Sequence, residues 1–115
     1  AFVDLYDARL SIRTDPAIPP DTRWLLVDLS RCPDQPWVIA AAGRVRRETF
    51  DDHSLTFAVE GMADTTCSVR ARLPARPSSV EAEEAEATHE WDAATPTVLV
   101  RFANRPAGRT VTVRW

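Results

Sequence analysis

The sequence predicts an all-β fold: an antiparallel β-sandwich of about eight strands, immunoglobulin-like or similar, with no substantial helix. Three observations carry that prediction. Apolar residues recur at every second position in several runs, turn-forming residues interrupt the runs roughly every 8–12 residues, and no amphipathic stretch exceeds about two helical turns. The run nearest the C-terminus is the clearest. Val98, Val100 and Phe102 share one face against Thr97, Leu99 and Arg101, and Val111, Val113 and Trp115 oppose Thr110, Thr112 and Arg114. Asn104, Pro106 and Gly108 supply the turn between these arms, so residues 97–115 read as a β-hairpin with a loop longer than two residues.

Taken in order, Ala8, Leu10 and Ile12 alternate with Arg9, Ser11 and Arg13, which predicts a first strand within residues 3–13, one face wet. Pro16, Pro19 and Pro20 remove backbone donors, making residues 15–21 a surface connection. Residues 24–29 form a short apolar run broken only by Asp28 and fit a central strand buried on both faces. Residues 37–45 contain three consecutive alanines, a helix-favouring composition, but Pro36, Gly43 and the lack of a helical stripe favour strand. The polar turn Asp51, Asp52, His53 leads into Leu55, Phe57 and Val59, completing a second hairpin. Cys67, Val69, Ala71 and Leu73 then alternate with Ser68, Arg70 and Arg72. Pro74 and Pro77 end that strand, and Val80 starts another that bends near Glu83 and Glu84 and returns to Trp91.

With 115 residues the chain has room for one two-layer core, so residues 1–115 are read as a single domain. Apolar residues at 44% and charged residues at 27% suit a folded globule. The net charge of −3 gives no basic stripe for a phosphate backbone, so no nucleic-acid partner is expected. The fourteen basic residues are all arginine, in keeping with a GC-rich coding sequence. The longest apolar run, residues 37–42, falls far short of the roughly 20 residues that span a bilayer, and no membrane partner is expected. Ala1 opens the chain directly in strand-like sequence, which reads as a fragment excised from a longer polypeptide.

Candidate chemistry is sparse. Asp51, Asp52, His53 and Ser54 assemble acid, base and hydroxyl groups, but neighbours along one turn do not reach triad geometry. His89 and Glu90 alternate to opposite faces of a strand. Glu81, Glu83, Glu84 and Glu86 resemble a calcium or acid–base cluster, but adjacent carboxylates in a strand point to opposite faces, which favours a charged, solvated strand edge. Two cysteines and two distant histidines match no zinc pattern, so no catalytic residue, metal or cofactor is expected. A bond between Cys32 and Cys67 would close a loop of about 35 residues and contribute roughly 3–4 kcal/mol. Cys67 equally fits a strand as a buried free thiol, leaving both states open. Among the aromatic residues, Trp24 and Trp115 read as core or inter-domain contacts. Trp37 and Trp91, beside polar loops, are the candidates for a ligand-binding platform on which a sugar ring could stack.

The order Val38-Ile-Ala-Ala-Ala-Gly-Arg44, Leu55-Thr-Phe-Ala-Val-Glu-Gly61, Val69-Arg-Ala-Arg-Leu-Pro74, Arg76-Pro-Ser-Ser-Val80, Trp91-Asp92 and the last hairpin resembles the C-terminal β-sandwich accessory domains of bacterial glycoside hydrolases. The resemblance spans residues 37–115 and is one of strands and turns. It departs from the usual pattern at Glu83 and Glu84, where such domains often carry Asp-Gly. It implies a non-catalytic accessory domain of a multidomain carbohydrate-active enzyme, stabilising or orienting the catalytic domain that would be its partner. A carbohydrate-binding module contacting polysaccharide through Trp37 and Trp91, or a protein-interaction or adhesion sandwich, are the alternatives. It also implies an extracellular or periplasmic parent, which favours pairing of Cys32 with Cys67.

Overall fold

The computed structural model describes residues 1–5, 7–14 and 26–115. Tyr6, the proline-rich connection at 15–21 and Trp24 lie outside the described residues. Eleven strands are present among the described residues: β1 (Phe2–Asp4), β2 (Ile12–Arg13), β3 (Leu26–Asp28), β4 (Trp37–Ala41), β5 (Arg44–Phe50), β6 (Ser54–Glu60), β7 (Thr66–Arg72), β8 (Ser79–Ala82), β9 (Ala87–Asp92), β10 (Thr97–Ala103) and β11 (Arg109–Arg114). The only helical segment among them is one 3-10 turn, Leu29–Arg31, capped by the Asp28 carboxylate, which accepts from the Ser30 N–H.

All pairings are antiparallel, and the strands form three sheets. The central sheet has the order β4-β7-β10-β9, the far sheet β5-β6-β11-β8, and the small outer sheet β2-β1-β3. Central and far sheets make the predicted sandwich. Their facing sides supply Leu55, Phe57 and Val59 of β6, Cys67, Val69 and Ala71 of β7, Val98, Val100 and Phe102 of β10, and Val111 and Val113 of β11. Each valine, leucine and phenylalanine among them stabilises the fold by about 1.5–3 kcal/mol when fully removed from water. The period-two apolar faces read from the sequence are therefore the faces that pack.

Their connections differ from expectation. Residues 97–115 are not a hairpin: β10 pairs with β7 and β9, whereas β11 pairs with β6 and β8. The chain crosses from one sheet to the other at residues 104–108, where the Asn104 N–H donates to the Thr65 carbonyl (2.9 Å) and ties this crossing to the neighbouring one. The segment around Val80 likewise splits between sheets, with Glu84 at φ 52° turning the chain. Residues 37–45 are two strands in different sheets, separated at Gly43. A Cβ there would lie 2.6 Å from Val59 Cγ1 and 2.7 Å from the Glu60 carbonyl oxygen, so the crossing needs glycine. Two alternating strands can pair side by side or pack face to face, and alternation is the same in both cases.

The N-terminal third departs furthest. The expected strand around Leu10 is broken, because Asp7 organises a turn. Its carboxylate accepts from the Arg9 N–H (2.9 Å) and from the Ser11 hydroxyl, and its carbonyl accepts from the Leu10 N–H (2.8 Å). Leu10 takes a left-handed φ of 49°, a conformation that costs about 1–2 kcal/mol and is offset by burying its side chain. Of the predicted central strand at 24–29, residues 24 and 25 lie outside the described residues, and Leu26–Asp28 form β3, a half-buried edge of the outer sheet. Val3, Leu10 and Leu29 pack with Leu99 of β10, so the outer sheet covers the outward side of the central sheet. The result is a sandwich of eight strands with a third layer laid on one face.

Cys32 and Cys67 are free thiols, so the pairing that the resemblance implies is not formed. Cys67 belongs to the core between central and far sheets and Cys32 packs beneath the outer sheet, placing them on opposite sides of the central sheet. Burial pushes the Cys67 thiol up to about 11.

Candidate functional site

Trp37 and Trp91 occupy the two opposite edges of the central sheet, on β4 and β9. Three strand spacings, about 14 Å, separate those edges. Register also sets them on opposite faces. Trp91 lies beside Val98 and packs on the sandwich core, whereas Trp37 lies in the row of Arg72 and Thr97, beneath the outer layer's side of the sheet. Both are half-buried, and the Trp37 indole N–H is buried with no acceptor among the described residues. The structure does not bring the two rings together.

The other sequence candidates have structural partners. Asp51 Oδ1 accepts from the backbone N–H groups of His53 and Ser54, both at 2.8 Å, and these bonds hold its carboxyl below the usual range. It shapes the β5–β6 turn. Glu83 and Glu84 converge on Arg105, the latter at 2.9 Å, and Glu81 pairs with Arg114 at 3.2 Å. His89 and Glu90 are exposed neighbours on β9 that point to opposite faces. Trp115 packs against the core and its indole N–H donates to the Asp52 carbonyl (3.1 Å). Among the described residues no three His, Cys, Asp or Glu side chains gather closely enough to hold a metal ion.

A site does form among residues that the sequence reading did not single out. Arg70 of β7 points to the outward face of the central sheet and is 6% exposed, roofed by the outer layer. Its Nε donates to the Leu10 carbonyl (2.8 Å) and its Nη1 to the Thr97 hydroxyl (3.2 Å), so the side chain reaches from β7 across β10. On the next strand, β9, Glu90 stands opposite Leu99 and Asp92 opposite Thr97. Between β9 and the residues around Ser11 opens a cleft of about 270 Å³, lined by Arg9, Ser11, Arg70, Glu90, Trp91 and Asp92.

Charges in this cleft are balanced. Burial lowers the Arg70 pKa, and Asp92, Glu90 and Asp7 oppose that shift through their charge. Arg70 has no salt bridge within 4 Å among the described residues, so its charge is held by neutral acceptors and by carboxylates at a distance. Arg9 and Glu90 pair across the mouth at 3.1 Å, both well exposed, a contact worth little by itself. Asp92 Oδ1 accepts from the Ala94 N–H (3.0 Å), which fixes the carboxylate on the turn into β10. The arrangement lines one cleft with guanidinium donors and carboxylate acceptors.

Sequence reasoning missed this cleft because the alternation of Arg70 with Val69 and Ala71 gives its face of the strand and not what packs on that face. One signal pointed to it: Leu99 is a large apolar residue in the same row as Arg70, on the face opposite the sandwich core. No protein-family model, curated protein sequence or solved structure matches the chain.

Proposed function

We propose that this chain is a non-catalytic accessory domain of a larger carbohydrate-active enzyme and that it contacts carbohydrate itself. The observation that carries the reading is the cleft beside β9, in which Arg70, Arg9, Glu90 and Asp92 present hydrogen-bond donors and acceptors. Sugar hydroxyls both donate and accept, and a site with adjacent guanidinium and carboxylate groups satisfies both capacities. The titratable groups there are engaged in turn formation, ion pairing or support of the outer layer, a role of holding rather than of proton transfer. The strand-and-turn resemblance to glycoside hydrolase accessory domains points the same way.

Retention of the isolated chain on a panel of soluble and insoluble polysaccharides tests this. Slowed migration or pull-down with one glycan class supports the reading. Passage through every member unretained removes it.

A second reading, docking onto a catalytic domain, is favoured by Met62, which is 77% exposed at the end of the sandwich beside Ala63 and Pro106. Met62→Glu would then weaken the interdomain contact of the longer polypeptide while leaving glycan retention by the isolated chain unchanged. Equal thermal midpoints for the two forms of the longer polypeptide would exclude it.

A further inference from the structure

We infer that the cleft between Arg70 and Asp92 takes a single neutral sugar ring through two adjacent hydroxyls, in preference to an acidic sugar. The inference rests on the carbohydrate reading above and goes further by naming the ligand's charge class and the residues that choose it.

The argument begins with size. At about 270 Å³ the cleft falls just under the roughly 300–1,000 Å³ typical of pockets for drug-sized ligands, so what it encloses is about one ring. Charge comes next. Arg70 is almost fully buried and is the group best placed to attract an anion, yet Asp92 and Glu90 stand on β9, across β10 from it, and Asp7 on the roof. A carboxylate entering beside Arg70 would meet these acids at close range in a partly desolvated site, where like charges repel strongly. A cation would meet Arg70 and Arg9. A neutral ligand meets neither penalty.

Hydrogen bonding then selects among neutral ligands. Arg70 uses Nε and Nη1 on Leu10 and Thr97, and a guanidinium carries five N–H donors in a planar fork. Asp92 uses one oxygen on Ala94, and its other oxygen has no hydrogen bond among the described residues. A pair of adjacent hydroxyls accepts from the one group and donates to the other, bridging donor and acceptor without adding charge. The pairing of Arg9 with Glu90 at the mouth is exposed and weak, so a further hydroxyl can replace it at little cost.

The test is a titration of the whole chain with glucose, galactose and mannose, and separately with glucuronic and galacturonic acids. It is followed by the backbone amide resonances of Asp92 and Leu99. A neutral hexose should shift these signals with a dissociation constant of roughly millimolar order, as expected for one ring. The matching uronic acid should bind at least about tenfold more weakly. Asp92→Asn keeps an acceptor for the Ala94 N–H, so the turn survives while the anionic acceptor is lost. It should weaken hexose binding about tenfold, whereas Glu86→Gln, outside the cleft, should not.

Tighter binding of the uronic acid, or unchanged hexose binding by Asp92→Asn, overturns the inference. The carbohydrate reading fails separately: polysaccharide retention that persists in Asp92→Asn keeps that reading and removes the cleft as its site. Loss of both hexose and polysaccharide binding in the unmodified chain removes both.

Discussion

Strands β6 and β7 are consecutive, seven residues long and alternate in the same way, yet they end in different environments. On β6 the apolar set Leu55, Phe57 and Val59 is fully buried while Thr56 and Ala58 stay half-exposed. On β7 the apolar set Cys67, Val69 and Ala71 is equally buried, but so are Ser68 at 1% and Arg70 at 6%. The difference arises from the third layer, which covers the outward face of the central sheet and leaves that of the far sheet in water. A polar residue on an alternating strand is thus placed on a face by its neighbours in sequence, and its solvent exposure is set by whatever packs on that face.

Substitutions can break this comparison at several depths. The largest effect is expected from Phe57→Ala, which empties the core shared by both strands and should lower stability by about 3–5 kcal/mol, read from chemical unfolding. Hydrogen exchange in that variant should speed up in all three sheets. Leu99→Ala removes the apolar residue on which the outer layer rests and should cost about 2–3 kcal/mol. Its signature is local: amides of Val3 and Ile12 exchange faster, and those of Leu55 and Val69 keep their protection. Uniform acceleration would mean that the outer layer is not a separate unit.

Gly61 lies where the chain leaves the far sheet for the central one. A Cβ there would overlap the Asn104 side-chain amide, which is itself bonded to the Thr65 hydroxyl (2.9 Å). Gly61→Ala should therefore lower stability by about 1–2 kcal/mol, with the thermal midpoint as readout. A midpoint equal to the parent's would show that this crossing tolerates a side chain.

A smaller effect is expected from pH. The Ser11 hydroxyl and the Arg9 N–H hold the Asp7 carboxyl below its ordinary value of 3.8 in the folded chain. Because the folded value is the lower one, the contribution is present above the unfolded value and is lost as pH falls through the folded value. Asp7→Asn should flatten that part of the acid limb, measured as denaturation midpoint against pH between about 5 and 2. The smallest effect belongs to the wet face of the far sheet: Thr112→Val should change stability by no more than about 0.5 kcal/mol.

Legibility in the sequence followed the range of the interaction. Turn chemistry was readable at Asp51–Ser54, where the carboxylate caps the turn within three residues, and at Gly108, whose φ is 92°. The inward faces of β6, β7, β10 and β11 were readable because side-chain period depends on the strand alone. Pairing partners were not. β10 and β11 present matching apolar faces, and matching faces serve a hairpin and a sandwich alike. The cleft was hidden for the same reason: Arg9, Arg70 and Asp92 are brought together by a layer and two strands distant in sequence.

What the sequence determined by itself was the all-β class, the strand-forming alternation of the sandwich and the identity of its core residues. These depend on local backbone geometry and on the removal of apolar side chains from water. The tertiary structure alone decided which strands share a sheet, that a third layer covers one face, and that Arg70 becomes the buried floor of a polar cleft. Those outcomes depend on which surfaces meet, and the contacts that select them join residues as far apart as Leu10 and Arg70.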